Sequence, residues 1–246
     1  MDAAALAVEL ERRLRPQGTP ERAAGERRYL KSSLTHLGVR LPALRTTTRQ
    51  LLGEHPRAEL GERLQLVEAL WAAPVFELRA AAVQVLERSS SELSATDLPL
   101  IERLVREAHT WALVDPLSTA VVGVVLQRDP AAGDVLDRWI SDDDFWVRRA
   151  ALLAHLPVLR LDRSRFPHFA AYADRVLDER EFFVRKAVGW VLREVGKRDP
   201  ELVSDWLAAR TQRAAGVTMR EAVKYLPEAD RERLMAAYRN KVPAAG

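Results

Sequence analysis

Trp111 and Asp115 stand four residues apart, and so do Lys186 and Trp190, with Arg149 between the two pairs in the chain. Side chains four apart share one face of a helix, so each pair sets an indole beside an ionised group. Indole faces attract cations. Carboxylates stabilise positive charge that develops in a reaction, and Arg and Lys grip phosphates. A cationic alkylated base on a nucleic-acid backbone satisfies all three properties. Breaking its glycosidic bond passes through an oxocarbenium-like sugar, which a nearby carboxylate stabilises.

The elements that must position these residues are visible as an internal repeat. Phe76-Glu77-Leu78-Arg79-Ala80-Ala81, Phe145-Trp146-Val147-Arg148-Arg149-Ala150 and Phe182-Phe183-Val184-Arg185-Lys186-Ala187 align without gaps, each with Phe, then Arg three residues on and Ala five residues on. Trp111 and Val217 fall at the same spacing, so the repeat starts are 76, 111, 145, 182 and 217. A period of about 35 residues fits one helical hairpin per repeat, stacked as an α-solenoid. The segments between starts, residues 60–71, 95–107 and 131–140, carry apolar residues at helical spacing. Prolines at 74, 99, 130, 157, 167, 200 and 227 mark helix ends or first turns. Ser141 followed by Asp142, Asp143 and Asp144 reads as a cap and an acidic first turn. The expectation is an all-α chain forming one repeat domain over 1–246, with residues 1–60 as N-terminal helices or a cap and one concave basic face. The fourth residue after each start varies in charge, as Ala80, Asp115, Arg149, Lys186 and Glu221. The eighth is Gln84, Thr119, Leu153, Trp190 and Tyr225. These slots form the stripe that gathers the reactive groups.

Composition agrees with this reading. Of 246 residues, 48% are hydrophobic and 30% charged, the balance of a globular chain, and only 11 are glycine. Cysteine is absent, which excludes disulfides, thiolate metal sites and cysteine nucleophiles. No apolar run reaches about 18 residues, so no membrane span or membrane partner is expected. The N-terminus lacks the basic and apolar regions of a signal peptide, and the expected location is the cytoplasm of a bacterium, acting at the nucleoid. The net charge of +3 is uneven: Glu21 to Gln50 holds seven Arg/Lys against two Glu, and Phe145 to Leu226 holds sixteen against ten acidic residues. Such basic segments suit a polyanion, and solvated helix faces would look the same. The five histidines, at 36, 55, 109, 155 and 168, show no metal spacing, and no phosphate-loop, dinucleotide or nucleophile-elbow motif occurs. No metal and no cofactor is expected.

At these residues the sequence resembles the AlkD-type DNA alkylation-repair glycosylases, built from HEAT-like repeats. The matching segments are Tyr29-Leu30-Lys31 with Leu37-Gly38-Val39, Trp111-Ala112-Leu113-Val114-Asp115, Trp146 to Leu153, and the most specific, Glu181 to Glu194. The resemblance implies a monofunctional hydrolase that releases N3- and N7-alkylated purines, 3-methyladenine and 7-methylguanine and bulky adducts as well, from duplex DNA without enclosing the base. It implies base excision repair by a monomer with no cofactor. The family's cleft residues fall on Trp111, Asp115, Arg149 and Trp190. Asp115 would stabilise the oxocarbenium and position water, Trp111 and Trp190 would contact the deoxyribose, and Arg149 would hold a phosphate. Lys186, Arg148, Arg185, Arg193, Tyr29, Lys31 and Arg45 are the further DNA-contact candidates.

The residues leave alternatives open. Trp111 fills its repeat's Phe slot, which suits a core residue, and Asp115 can cap the turn before Pro116. Arg at the third place after a start recurs in four repeats, which suits a scaffold part for Arg148 and a functional one for Arg149. Gly189 beside Trp190 can serve close helix packing, and Lys186 can be a Schiff-base lysine. The chain departs from the family pattern at Thr110, Ala112, Leu113, Pro116 and Pro157. A non-catalytic DNA-binding or damage-sensing protein and a protein-binding scaffold are the competing functions.

Overall fold

The computed structural model describes residues 1–240, and no strand occurs among them, only two isolated bridges. The chain is all-α, as expected. It divides into two compact units, Met1–Val125 and one that begins at Leu126. The expected single domain over 1–246 includes residues 241–246, which lie outside the described residues.

In the first unit, α1 (Ala3–Leu14), α2 (Pro20–Leu30), α3 (Leu41–Gly53) and α4 (Leu60–Ala72) precede the first repeat start. Their ends are set by local chemistry. The Asp2 side chain accepts the Ala5 N–H and Thr19 accepts that of Arg22, while Glu59 and Glu62 form a reciprocal capping box. Then follow α5 (Phe76–Ser89), α6 (Leu98–Ala108) and α7 (Trp111–Pro116), and α8 (Gly123–Arg128) carries the chain across the boundary at Val125. Helices α4 and α5 pack together, α6 packs on α7, and α5 packs on α7. On α6 the buried residues are Leu98, Ile101, Leu104, Val105 and Ala108, a single stripe facing inward. Leu10, Leu66, Leu70, Trp71, Leu78 and Leu86 complete this core, each fully buried leucine stabilising by about 2 kcal/mol.

The second unit contains α9 (Ala131–Trp139), α10 (Phe145–Leu153), α11 (His155–Leu161), α12 (Phe166–Val176), α13 (Phe182–Gly196), α14 (Pro200–Ala208), α15 (Gly216–Ala222) and α16 (Glu228–Arg239). Helix α10 packs on α13, and α13 packs on α15. Trp139, Phe169, Val188 and Leu192 lie at the centre of this core. The repeat starts at 76, 111, 145 and 182 are each the first residue of a helix, and Val217 is the second of α15. The recurring Arg of the repeat proves to be a tie between helices. Arg79 donates to the Glu107 carbonyl, Arg148 to those of Asp142 and Asp143, and Arg185 to that of Glu179. Arg148 and Arg185 thus satisfy carbonyls just beyond the preceding helix, whereas Arg79 reaches one in the last turn of the following helix, α6.

One capping expectation is corrected. Asp144, not Ser141, caps α10: its carboxylate accepts the Trp146 N–H at 2.8 Å, while Ser141 is exposed. The helix begins three residues later than a Ser141 cap would require, because Asp142 turns the loop by accepting the Asp144 N–H.

Candidate functional site

Asp115 is the fifth residue of α7, and the chain around it is irregular. The Thr110 side chain caps the helix by accepting the Ala112 N–H at 3.4 Å. Pro116 has no N–H to give the Ala112 carbonyl, and the chain widens immediately into a π-helical segment, Leu117–Val122. Such segments concentrate at functional sites. Two hydroxyls bond back to carbonyls of this turn: Ser118 donates to the Val114 carbonyl at 2.6 Å and Thr119 to that of Asp115 at 2.8 Å. Leu113 and Val114 are buried, so Trp111 and Asp115 occupy the half-exposed face of α7. Trp111 is therefore not a core residue. Tyr29, 73% exposed at the end of α2, meets the Trp111 indole edge-on with centroids 6.1 Å apart. Lys31, next to it, is exposed and adopts a left-handed conformation at φ 50° as the cap of α2.

Arg45 is exposed on α3 and belongs to a cleft of about 180 Å³ shared with Arg49, Arg88 and Glu87. Burial pushes the Glu87 carboxyl above its usual range, and Arg45 pulls it back. Arg49 and Arg88 went unnoticed in the sequence. Arg49 was available as the residue four after Arg45 on one helix face, whereas only folding brings Arg88 alongside.

In the second unit the candidates divide into free and committed groups. Trp190 and Lys186 are half-exposed on α13, and the Lys186 ammonium stands 5.8 Å from the ring of Phe182, itself 53% exposed. Gly189 lets α13 and α15 approach: a Cβ there would stand 2.8 Å from Glu221 Cβ and 2.9 Å from the Thr218 carbonyl oxygen. The Thr218 hydroxyl also donates to the Arg185 carbonyl at 2.9 Å. Arg149 is only 3% exposed. It donates to the Phe183 carbonyl at 2.5 Å and lies over the Phe183 ring at 5.7 Å. Arg148 pairs with Glu179 at 2.8 Å in addition to its carbonyl contacts, and Arg193 pairs with Glu221 and Glu194. Arg148, Arg185 and Arg193 are thus tied into the scaffold, while Lys186, Tyr29, Lys31 and Arg45 present their side chains outward to differing degrees. The structure brings Trp111, Asp115 and Tyr29 together in the first unit. It joins Arg149 to α13, the helix of Lys186 and Trp190, in the second.

Comparison with known proteins adds the following. The sequence profile of a family described as DNA alkylation repair enzyme matches residues 10–226. Among solved structures, a predicted DNA alkylation repair enzyme from Enterococcus faecalis superposes with a TM-score of 0.74 at 23% identity, covering 86% of this chain and 98% of that one. The smu.31 protein of Streptococcus mutans UA159 superposes at 0.61 with 18% identity, covering 76% and 93%. Both support the fold. No curated protein matches. Among the described residues, no helix is long and apolar enough to cross a membrane.

Proposed function

This chain belongs to the DNA alkylation repair enzymes, and we propose that within that family it is a monofunctional glycosylase. Its substrates are cationic N3- and N7-alkylated purines in duplex DNA, released by hydrolysis without enclosure of the base. The observation that carries this reading is the half-exposed pair Trp111 and Asp115 on one face of α7, with exposed Tyr29 against the indole. Asp115 stabilises the oxocarbenium-like sugar and orients the attacking water. The indoles of Trp111 and Trp190 face the deoxyribose and its developing charge. Lys186, Lys31 and Arg45 contact phosphates. The alkylated base leaves as a neutral group, so no strong general acid is needed. Arg149 takes a supporting part, since a phosphate contact asks its guanidinium to leave the Phe183 carbonyl.

The test is base release from methylated duplex DNA by the intact protein and by Asp115→Asn. Free 7-methylguanine or 3-methyladenine with the intact protein, and its loss in the variant, supports the assignment. Salt-sensitive duplex binding without release in either would identify a damage-binding protein instead. No DNA binding at all would point to a protein-binding scaffold.

A further inference from the structure

His36 is a buried polar side chain of the first unit that makes no hydrogen bond. Its side chain is 1% exposed, it stacks on Phe76 with centroids 4.7 Å apart, and neither ring nitrogen has a hydrogen-bond partner. A buried imidazole without partners loses its hydration and gains nothing in return. Burial accordingly lowers its pKa and Arg27 lowers it further, against the pull of Glu77 and Glu26. A neutral imidazole offers a lone pair to a cation.

Two carboxylates surround it. Glu26 Oε2 lies 4.0 Å from His36 Nδ1, and one ligand atom each from Glu26, His36 and Glu77 all lie within 4.8 Å of one another. Glu77 is 1% exposed and held rigidly. Its Oε1 accepts the N–H groups of Gly38 at 2.7 Å and Val39 at 3.2 Å, and its Oε2 accepts that of Leu37 at 2.9 Å. That leaves lone-pair capacity on Oε2. The loop making these bonds turns at Gly38, where φ is 76° and a Cβ would stand 2.3 Å from the Thr19 carbonyl oxygen. Glu26 is the adjustable member, since its side chain is 25% exposed and its other oxygen pairs with Arg22 at 2.6 Å.

We propose that Glu26, His36 and Glu77 form a binding site for one divalent transition metal ion of the zinc type. Imidazole with carboxylates is a donor set for borderline cations rather than for calcium or magnesium. Tetrahedral zinc with bonds of about 2.0–2.2 Å sets ligand atoms about 3.4 Å apart, so the Glu26 side chain closes on the ion. The backbone N–H groups on Glu77 supply the orientation that outer contacts give a metal ligand. A cleft of about 530 Å³ lined by His36, Thr35, Leu37, Thr19, Ala23 and Arg27 provides entry and room for a water in the fourth position. Arg27 and the Arg22 that pairs with Glu26 balance the two carboxylates, so coordination by the three donor atoms rather than net charge holds the ion. Bound there, the ion ties α2 and α5 to the loop at residues 32–39. This assignment stands apart from glycosylase activity, which its test does not read.

The test uses the full chain stripped with EDTA and then titrated with zinc chloride against a chromophoric chelator. One zinc per chain is expected, with Tm rising by about 5 °C or more at zinc a hundredfold above its dissociation constant. In ¹⁵N spectra of the imidazoles, His36 alone of the five should shift on zinc addition. Glu26→Gln, at a partly exposed position, should keep the fold and weaken binding at least tenfold, and His36→Gln should abolish it. Absence of binding, or binding unchanged in folded Glu26→Gln with His36 signals unmoved, overturns the proposal. The spectra of the unsubstituted chain decide the matter if His36→Gln does not fold.

Discussion

Helices α7 and α13 occupy equivalent places in the repeat, yet they are built in opposite ways. Helix α7 lasts six residues, contains Pro116 and opens into a π-helical segment closed by the Ser118 and Thr119 hydroxyls. Helix α13 runs fifteen residues without interruption and is pressed against α15 at Gly189. The first carries the carboxylate on a short, irregular turn. The second carries Trp190 on a rigid rod whose neighbouring helix leaves no space for a methyl group. The repeat therefore distributes regularity unevenly: packing slots stay constant, while the slot of Asp115 and Lys186 changes both charge and local backbone.

The largest effect expected from this contrast is at α7. Asp115→Asn keeps the shape and hydrogen-bonding reach of the side chain but removes its charge. Base release should fall by about 10²–10³-fold, the scale of losing one preorganised electrostatic group, with duplex affinity little changed. Single-turnover release measured beside a filter-binding isotherm reads both. Loss of binding in parallel with release would assign Asp115 a structural part.

Next comes a pH effect confined to the second unit. His155 is buried beside Phe169 and Tyr172, and desolvation lowers its pKa to about 4. Its Nδ1 lies 3.0 Å from the Ala151 carbonyl oxygen. The unfolded chain binds this proton more readily than the folded one, so the contribution is complete above the ordinary value near 6.5. It is then lost as pH falls from there through about 4. The total is on the order of 3 kcal/mol. Urea unfolding at pH 7, 5.5 and 4.5 should show this decline, and His155→Gln should flatten the part of it due to this residue. An unchanged slope in a folded variant would place the acid sensitivity elsewhere.

Gly189→Ala probes the rigid rod directly. The added methyl meets Glu221 Cβ and the Thr218 carbonyl at under 3 Å, so overpacking should cost about 1–3 kcal/mol, less up to about 1 kcal/mol from better helix propensity. Thermal unfolding measures the balance, and a stabilised variant would show that α13 and α15 separate easily. Smaller again is the contribution of each indole. Trp111→Phe and Trp190→Phe keep an aromatic face but a weaker one, and each should reduce base release by roughly fivefold to thirtyfold, in keeping with about 1–2 kcal/mol of cation–π stabilisation. Equal losses at the two positions would argue that helix rigidity does not matter to the aromatic contact.

Much of this was readable from residue types. The starts at 76, 111, 145 and 182 are helix starts because an apolar residue recurring every 35 positions has to begin the same packing unit each time. Arg79, Arg148 and Arg185 behaved as scaffold because residues that recur from repeat to repeat serve what the repeats share. Trp111 and Asp115 emerged on one face because four residues make about one helical turn. The π-helical segment was not readable, since Pro116 announces a missing donor but not how the backbone beyond it rearranges. The commitment of Arg185 and Arg193 was equally hidden, since the spacing of a charge along a helix says nothing about the carboxylate or carbonyl that folding brings to it.

What the chain alone determined was periodic: helix positions, the shared face of Trp111 and Asp115, the absence of thiol chemistry. Those properties depend on neighbours within one turn or on the mere presence of an atom type. What the folded chain decided was encounter between distant segments. Arg149 lost its access to solvent over Phe183, and His36 came to rest unpartnered between Glu26 and Glu77, ten residues before it and forty-one after. Side-chain spacing along a helix is set by covalent geometry, whereas burial and partner choice are set by which surfaces exclude water together.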